Sequence, residues 1–97
     1  MDAVVEKVNS KAVFLIDVRT EREWNSGHAK GAIHFELSKI QKGGTPELPR
    51  DAKIYLYCRS GNRSGIANDI LKKAGFKNTE NLGGLSDWQA LGGEIEK

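Results

Sequence analysis

A single cysteine closes the apolar run Lys53-Ile54-Tyr55-Leu56-Tyr57 and opens a polar one, Cys58-Arg59-Ser60-Gly61-Asn62-Arg63-Ser64-Gly65. A buried strand that runs straight into a turn and then a helix leaves the helix's first backbone N–H groups without helical partners. A tight turn containing Gly61 can aim several of those groups at one point, and the helix dipole lies behind them. The sulfur of Cys58 falls at that point, with Arg59 and Arg63 adding positive charge nearby. Each of these effects favours thiolate over thiol, so the spacing predicts a depressed thiol pKa and a reactive sulfur. A free cysteine is often only a small buried residue. The Arg, Ser, Gly, Asn and Arg that follow Cys58 suit an anion pocket better than a core.

The elements that must position this loop are legible as an alternation of strands and helices. Ala12-Val13-Phe14-Leu15-Ile16 is a continuous apolar run that fits a strand buried on both faces, ending in Asp17-Val18-Arg19. Ahead of it, Asp2 is placed to cap a short helix through Asn9 with Val4, Val5 and Val8 inward. Thr20 and Glu23 have capping-box spacing, with Gly27 placed to end the helix they start; Ser38 and Gln41 repeat that spacing. Residues 32–37 alternate and read as a second strand, 53–57 as a third and 79–82 as a short fourth. Residues 43–51 have the composition of a surface loop. Ile66, Ala67, Ile70, Leu71 and Ala74 recur at helical spacing before Gly75, and a last helical stretch spans 86–91 after Gly83-Gly84. The architecture implied is α/β: a small, mainly parallel sheet of about four or five strands with helices on both faces. In such sheets ligands sit outside the carboxyl ends of the strands, where Cys58, Asp17 and Arg19 fall.

Composition bounds the rest. The 97 residues suggest one domain, and a net charge of +2 with dispersed Lys and Arg gives no nucleic-acid footprint. No apolar run approaches the length of about 18 residues needed to span a membrane, and the first residues lack the basic and apolar segments of a signal peptide. The sequence as it stands therefore points to the cytoplasm, or to the periplasm if a signal has been removed. One cysteine and two histidines show no metal-ligand spacing, so neither a metal nor a cofactor is called for.

Four segments in order resemble the rhodanese homology domain family: Ile16-Asp17-Val18-Arg19; Glu23-Trp24-Asn25-Ser26-Gly27-His28-Ala29-Lys30-Gly31-Ala32; the Cys58–Ser64 loop; and Gly83-Gly84-Leu85-Ser86-Asp87-Trp88. The likeness covers nearly the whole chain, as one rhodanese-like domain over 1–97. It leans toward the small single-domain bacterial members of the phage-shock-protein-E type. Ala29 departs from the family's usual Ile or Val, at a small expected cost in packing. The resemblance implies a thiosulfate sulfurtransferase. In that reaction the Cys58 thiolate takes the outer sulfur of thiosulfate or a similar donor, and a thiol or cyanide removes it from the resulting persulfide. It implies Cys58 as the catalytic residue and Arg59, Ser60, Gly61, Asn62 and Arg63 as the substrate-binding loop, with Arg59 holding the oxyanion end of the donor. Partners would be small molecules and a protein sulfur acceptor, and the chain would be a monomer.

Three alternatives stand beside this reading. The first is a relay module fed with sulfur by a protein partner. The second is a silent binding domain, against which the intact cysteine and basic loop argue. The third is a cysteine phosphatase. Phosphatases among rhodanese-like domains use Cys-x5-Arg, whereas here Arg63 follows Cys58 by x4 and Ser64 occupies the x5 position. The shorter loop suits one sulfur atom better than a phosphoryl group. Without clamp spacing, Arg63 is expected to pair outward with a carboxylate or act as a general charge. Asp17 and Arg19 are expected to be structural, Asp17 bonding backbone of a neighbouring loop and Arg19 in an ion pair. His28 reads as a turn histidine bonded to backbone, His34 as exposed, and Trp24 and Trp88 as core. Gly83 and Gly84 read as a tight turn, and Ser60 and Asn62 as polar turn residues.

Overall fold

The computed structural model describes residues 3–97, so the expected Asp2 cap lies outside the described residues. Four strands form a parallel sheet in the order β3-β1-β4-β5: β1 is Phe14–Asp17, β3 Ile33–His34, β4 Lys53–Cys58 and β5 Asn78–Gly84. Two short strands, β2 (His28–Ala29) and β6 (Ile95–Glu96), pair antiparallel apart from it. Helices α1 (Ala3–Asn9), α2 (Glu21–Ser26), α3 (Leu37–Gln41), α4 (Asn62–Lys73) and α5 (Leu85–Ala90) complete the fold.

Side chains alternate across a strand, and here the alternation separates two cores. Ile54, Leu56 and Cys58 of β4 join Ile16, Val18 and the apolar faces of α3 and α4. Tyr57, with Leu15 of β1, joins Val5 and Val8 of α1 and Trp88 of α5 on the other face. The expected sheet with helices on both faces is thus observed. From β1 the chain moves outward to β3, then returns past β1 to β4 and β5. The direction of winding reverses between β1 and β4, the place where such sheets open a crevice at their carboxyl ends. Cys58 ends β4 at that place.

Several local expectations are met. Thr20 Oγ1 accepts from Glu23 N–H while Glu23 Oε1 accepts from Thr20 N–H, a complete capping box, and Gly27 ends α2. Gly75 follows the Ala74 cap of α4 in the left-handed region.

Others are corrected. The Ser38 capping box does not form: the N-cap is Glu36, two residues earlier, α3 begins at Leu37, and no side chain caps it. The Leu37 N–H donates to Val18 O at 3.0 Å and its side chain is buried, so tertiary contact sets the helix start. The second strand is shorter than its alternation suggested. Only Ile33 and His34 pair with β1; beyond them the Phe35 N–H still donates to Asp17 O at the end of β1, and the Leu37 N–H to Val18 O just past it, as the backbone leaves the ladder. Helix α4 starts at Asn62, a turn ahead of its apolar periodicity, and Ile66 on it is exposed rather than inward.

Candidate active site

Only Arg59, Ser60 and Gly61 separate β4 from α4. Gly61 makes so short a connection possible. Its φ of 97° lies in the left-handed region, and a Cβ there would come within 3.4 Å of Gly83 Cα on β5. The turn points the Gly61 N–H at Cys58 Sγ, 2.9 Å away, and brings Ser64 Oγ to 3.5 Å from the same sulfur. Cys58 is fully buried. Burial by itself would push the thiol up. The Ser64 hydroxyl and the backbone N–H groups of Ser64, Ser60 and Gly61 act against it, and together they hold the thiol below its ordinary value. The sequence expectation of a nest with a depressed thiol therefore corresponds to a specific set of donors, all neutral.

The loop's polar residues divide. Arg59, Ser60 and Asn62 are exposed, with Arg59 immediately beside the sulfur-bearing residue in the chain. Arg63 turns outward. Its Nη1 and Nη2 donate to Glu23 Oε1 and Oε2 at 2.6 and 2.8 Å, a two-point clamp between α4 and α2. Glu23 thus serves the cap of its own helix and the loop helix together. The Arg63 hydrogen bonds outweigh a modest burial cost, and with the Thr20 N–H they depress the Glu23 carboxyl to about 2. A carboxyl held below its ordinary 4.5 adds stability that is complete above that value and is lost as pH falls through about 2. Glu23→Gln should therefore remove the part of the acid loss of thermal stability that falls between about pH 4.5 and about pH 2. Parallel decline of the variant and the parent over that window would exclude this pair as its source.

Asp17 and Arg19 lie apart from the sulfur. Asp17 follows the alternation of Leu15 and faces Tyr57, across the sheet from Cys58. Its Oδ2 accepts the Tyr57 hydroxyl at 2.6 Å and Arg19 Nη2 at 2.8 Å, and its Oδ1 accepts the Arg19 backbone N–H at 2.8 Å. The ion pair expected of Arg19 is made with Asp17. The bond to neighbouring loop backbone is made by Arg19, whose Nη2 donates to Gly27 O at 2.6 Å, and not by Asp17. Burial disfavours the Arg19 charge, but Asp17 more than restores it and holds the guanidinium above its ordinary range. Burial and then the bond to Asp17 push the Tyr57 phenol well above its usual value, so it remains a donor.

His28 is a turn histidine as expected: Nδ1 lies 3.0 Å from Trp24 O, and its ring stacks on Trp24 at 3.5 Å between centroids. His34 is not exposed. It stacks on Trp24 as well and places Nε2 2.8 Å from Arg19 O. Trp24 is accordingly half-buried against these two rings, whereas Trp88 is fully buried with Nε1 donating to Glu94 O. A cleft of about 200 Å³ lies beside α3, with Val18, Leu37 and Arg63 among its walls; Cys58 does not line it. Among the described residues no three His, Cys, Asp or Glu side chains gather as a metal site, and no helix is long and apolar enough to cross a membrane.

Sequence reasoning missed Asn81 on β5. Its Oδ1 accepts Ser64 Oγ–H at 2.6 Å and the Gly83 N–H at 3.0 Å, and its Nδ2 donates to Gly61 O at 3.0 Å. The available signal was its place just before Gly83-Gly84, on the strand that ends beside Cys58.

The cysteine sulfur, ringed by neutral donors, thus lies where the winding of the parallel sheet reverses. The chain belongs to the rhodanese-like domains, matching that family over residues 1–91. Among curated relatives, the thiosulfate sulfurtransferase PspE of Escherichia coli is 34% identical over 73 residues, covering 74% of this chain and 70% of PspE. The putative sulfur carrier protein YrkF of Bacillus subtilis is 36% identical over 90 residues, covering 91% of this chain, which spans only 48% of YrkF. A solved rhodanese-like domain of the Anabaena Alr3790 protein superposes with a TM-score of 0.80 at 31% identity, covering 89% of this chain and all of that one.

Proposed function

We propose that this chain transfers sulfane sulfur through Cys58, with thiosulfate or a similar anionic donor as the source. The observation that carries the proposal is the set of neutral donors on Cys58 Sγ, led by the Gly61 N–H at 2.9 Å. These donors favour a thiolate and would serve a terminal persulfide sulfur in the same way. The thiolate attacks the outer sulfur of thiosulfate; the S–S bond breaks, its electron pair leaves with sulfite, and Cys58 carries the transferred sulfur as a persulfide anion. A thiol or cyanide acceptor then attacks that terminal sulfur and the Cys58 thiolate is released. Arg59 is exposed beside the nucleophile and suits the sulfonate end of the donor. Because Cys58 itself is covered, the short Arg59–Gly61 loop must yield locally for the donor to reach it.

Phosphate chemistry is disfavoured on a specific ground. Arg63, the arginine nearest the position of a phosphatase clamp, is committed to Glu23. The relatives' names favour a second reading within sulfur transfer, a relay in which another protein loads Cys58. Intact mass after exposure to thiosulfate tests both. A gain of one sulfur atom, absent in Cys58→Ala and removed by cyanide, is the expected result. No gain at any thiosulfate concentration would rule out thiosulfate as donor, and a gain only from a persulfidated protein donor would establish the relay.

A further inference from the structure

We propose that Asn81 is a positioning residue for the Cys58 sulfur, holding from the neighbouring strand the two groups, Gly61 and Ser64, that hydrogen-bond to it. The inference deepens the sulfur-transfer reading above and rests on Cys58 being its nucleophile. The Gly61 peptide is gripped at both ends: its N–H donates to Sγ at 2.9 Å and its C=O accepts Asn81 Nδ2–H at 3.0 Å. Two backbone groups fix which way the Asn81 amide faces. The Gly83 N–H can only donate, so Oδ1 must face it, and Gly61 O can only accept, so Nδ2 must face that. The amide also packs over Gly65, where a Cβ would come within 3.4 Å of Nδ2.

Ser64 completes the arrangement. Its hydroxyl has one proton and four acceptors within reach: Asn81 Oδ1 at 2.6 Å, Gly61 O at 3.2 Å, Gly83 O at 3.3 Å and Cys58 Sγ at 3.5 Å. Beside a neutral thiol the short bond to Asn81 holds the proton. When the sulfur carries charge, rotation of the hydroxyl turns that O–H toward Sγ as a hydrogen bond, the proton staying on Oγ. Asn81 Oδ1 keeps the Gly83 N–H, so no acceptor is stranded by the exchange. Asn81 thereby parks a donor that the anionic sulfur can recruit. It sits opposite Leu56, at the irregularity where the β4–β5 register slips before Tyr57 pairs with Gly83. Such bulges re-aim side chains beside active sites. The Arg63 guanidinium is tied to Glu23, and the groups that hydrogen-bond to the sulfur are neutral donors.

The test reads the thiol directly, as the pH dependence of Cys58 alkylation by iodoacetamide in the full chain. Asn81 is exposed and belongs to neither apolar core, so its substitution leaves both cores in place. Asn81→Asp keeps the acceptor for Gly83 and Ser64 but sets a carboxylate oxygen against Gly61 O; Asn81→Ala removes the grip altogether. The aspartate should move the alkylation midpoint upward; the alanine loses the grip on Gly61 but also frees the Ser64 hydroxyl for the sulfur, two opposed effects, so its shift should be the smaller. Below the midpoints the aspartate variant should react about tenfold more slowly, the effect of one pH unit. An aspartate profile that coincides with the parent's in a folded variant would overturn the proposal, even if thermal stability falls. In the unaltered chain the Asn81 side-chain amide resonances should titrate with Cys58, and their invariance would overturn it without any variant. Neither measurement needs a sulfur donor: a chain that takes no sulfur from thiosulfate defeats that donor assignment and leaves this comparison standing.

Discussion

Asp17→Ala is expected to cost the fold about 3–5 kcal/mol, the usual penalty for removing one partner of a buried ion pair. Asp17 is 0% exposed and Arg19 5% exposed, so neither charge has water to fall back on. The substitution leaves the guanidinium with Gly27 O as its remaining acceptor and takes away the acceptor of the Tyr57 hydroxyl. Tyr57 would also lose part of its hold on β2, where it accepts the Ala29 N–H at 3.0 Å. A chain of 97 residues has a total stability of about 5–15 kcal/mol, so this one change should consume a large share of it. Urea unfolding of Asp17→Ala, Arg19→Ala and the double variant gives the measure. The double should lose clearly less than the two singles together, since it strands no charge. A single-variant cost below about 1 kcal/mol would place the pair with exposed bridges and sink the argument.

These three residues also mark where sequence reasoning stops. The distance from Asp17 to Arg19 is two positions, and the strand end that holds them was visible as the close of an apolar run. That Tyr57 donates to Asp17 was not visible, because the contact spans 40 positions and depends on β1 lying beside β4. The same division runs through the site. The Thr20–Glu23 capping box, the strand running into Cys58 and the glycine turn after it are local, and local spacing sufficed for them. Glu23 was visible as a cap, but its clamp on Arg63 joins helices 40 positions apart. Asn81 is 20 positions from Gly61 and carries no signature of its own; only the pairing of β4 with β5 brings it to the loop. His34 misleads for a related reason. Its strand alternates as a half-exposed strand should, yet Trp24 folds back over it from α2. The chemistry of the nucleophile was therefore legible in one continuous stretch, whereas the residues that hold that stretch in place come from strands and helices distant in the chain.

Gly84→Ala should show how tightly that support is drawn, with sulfur uptake at Cys58 slowed about a hundredfold, the penalty for a catalytic group displaced by about 1 Å. Gly84 pairs with Cys58 across the β4–β5 ladder and starts α5, where its N–H donates to Asp87 Oδ2 at 2.7 Å. Its φ of −102° is one that alanine adopts freely, so the backbone conformation is not the obstacle. Space is: a Cβ there would sit 2.4 Å from Arg59 O and 3.3 Å from Ser60 Cα. Those atoms are backbone and have no rotamer to escape through. Either the Arg59–Gly61 turn moves away, taking the Gly61 N–H off the sulfur, or β5 withdraws and takes Asn81 with it. Both routes loosen the donors around Cys58, at an overpacking cost of about 1–3 kcal/mol. The two effects are read separately, stability by thermal unfolding and the sulfur by its alkylation rate and its mass gain from a donor. An alanine variant that is less stable yet alkylates and takes up sulfur at the parent's rate would show that the turn can shift without consequence, and that Gly84 serves packing alone.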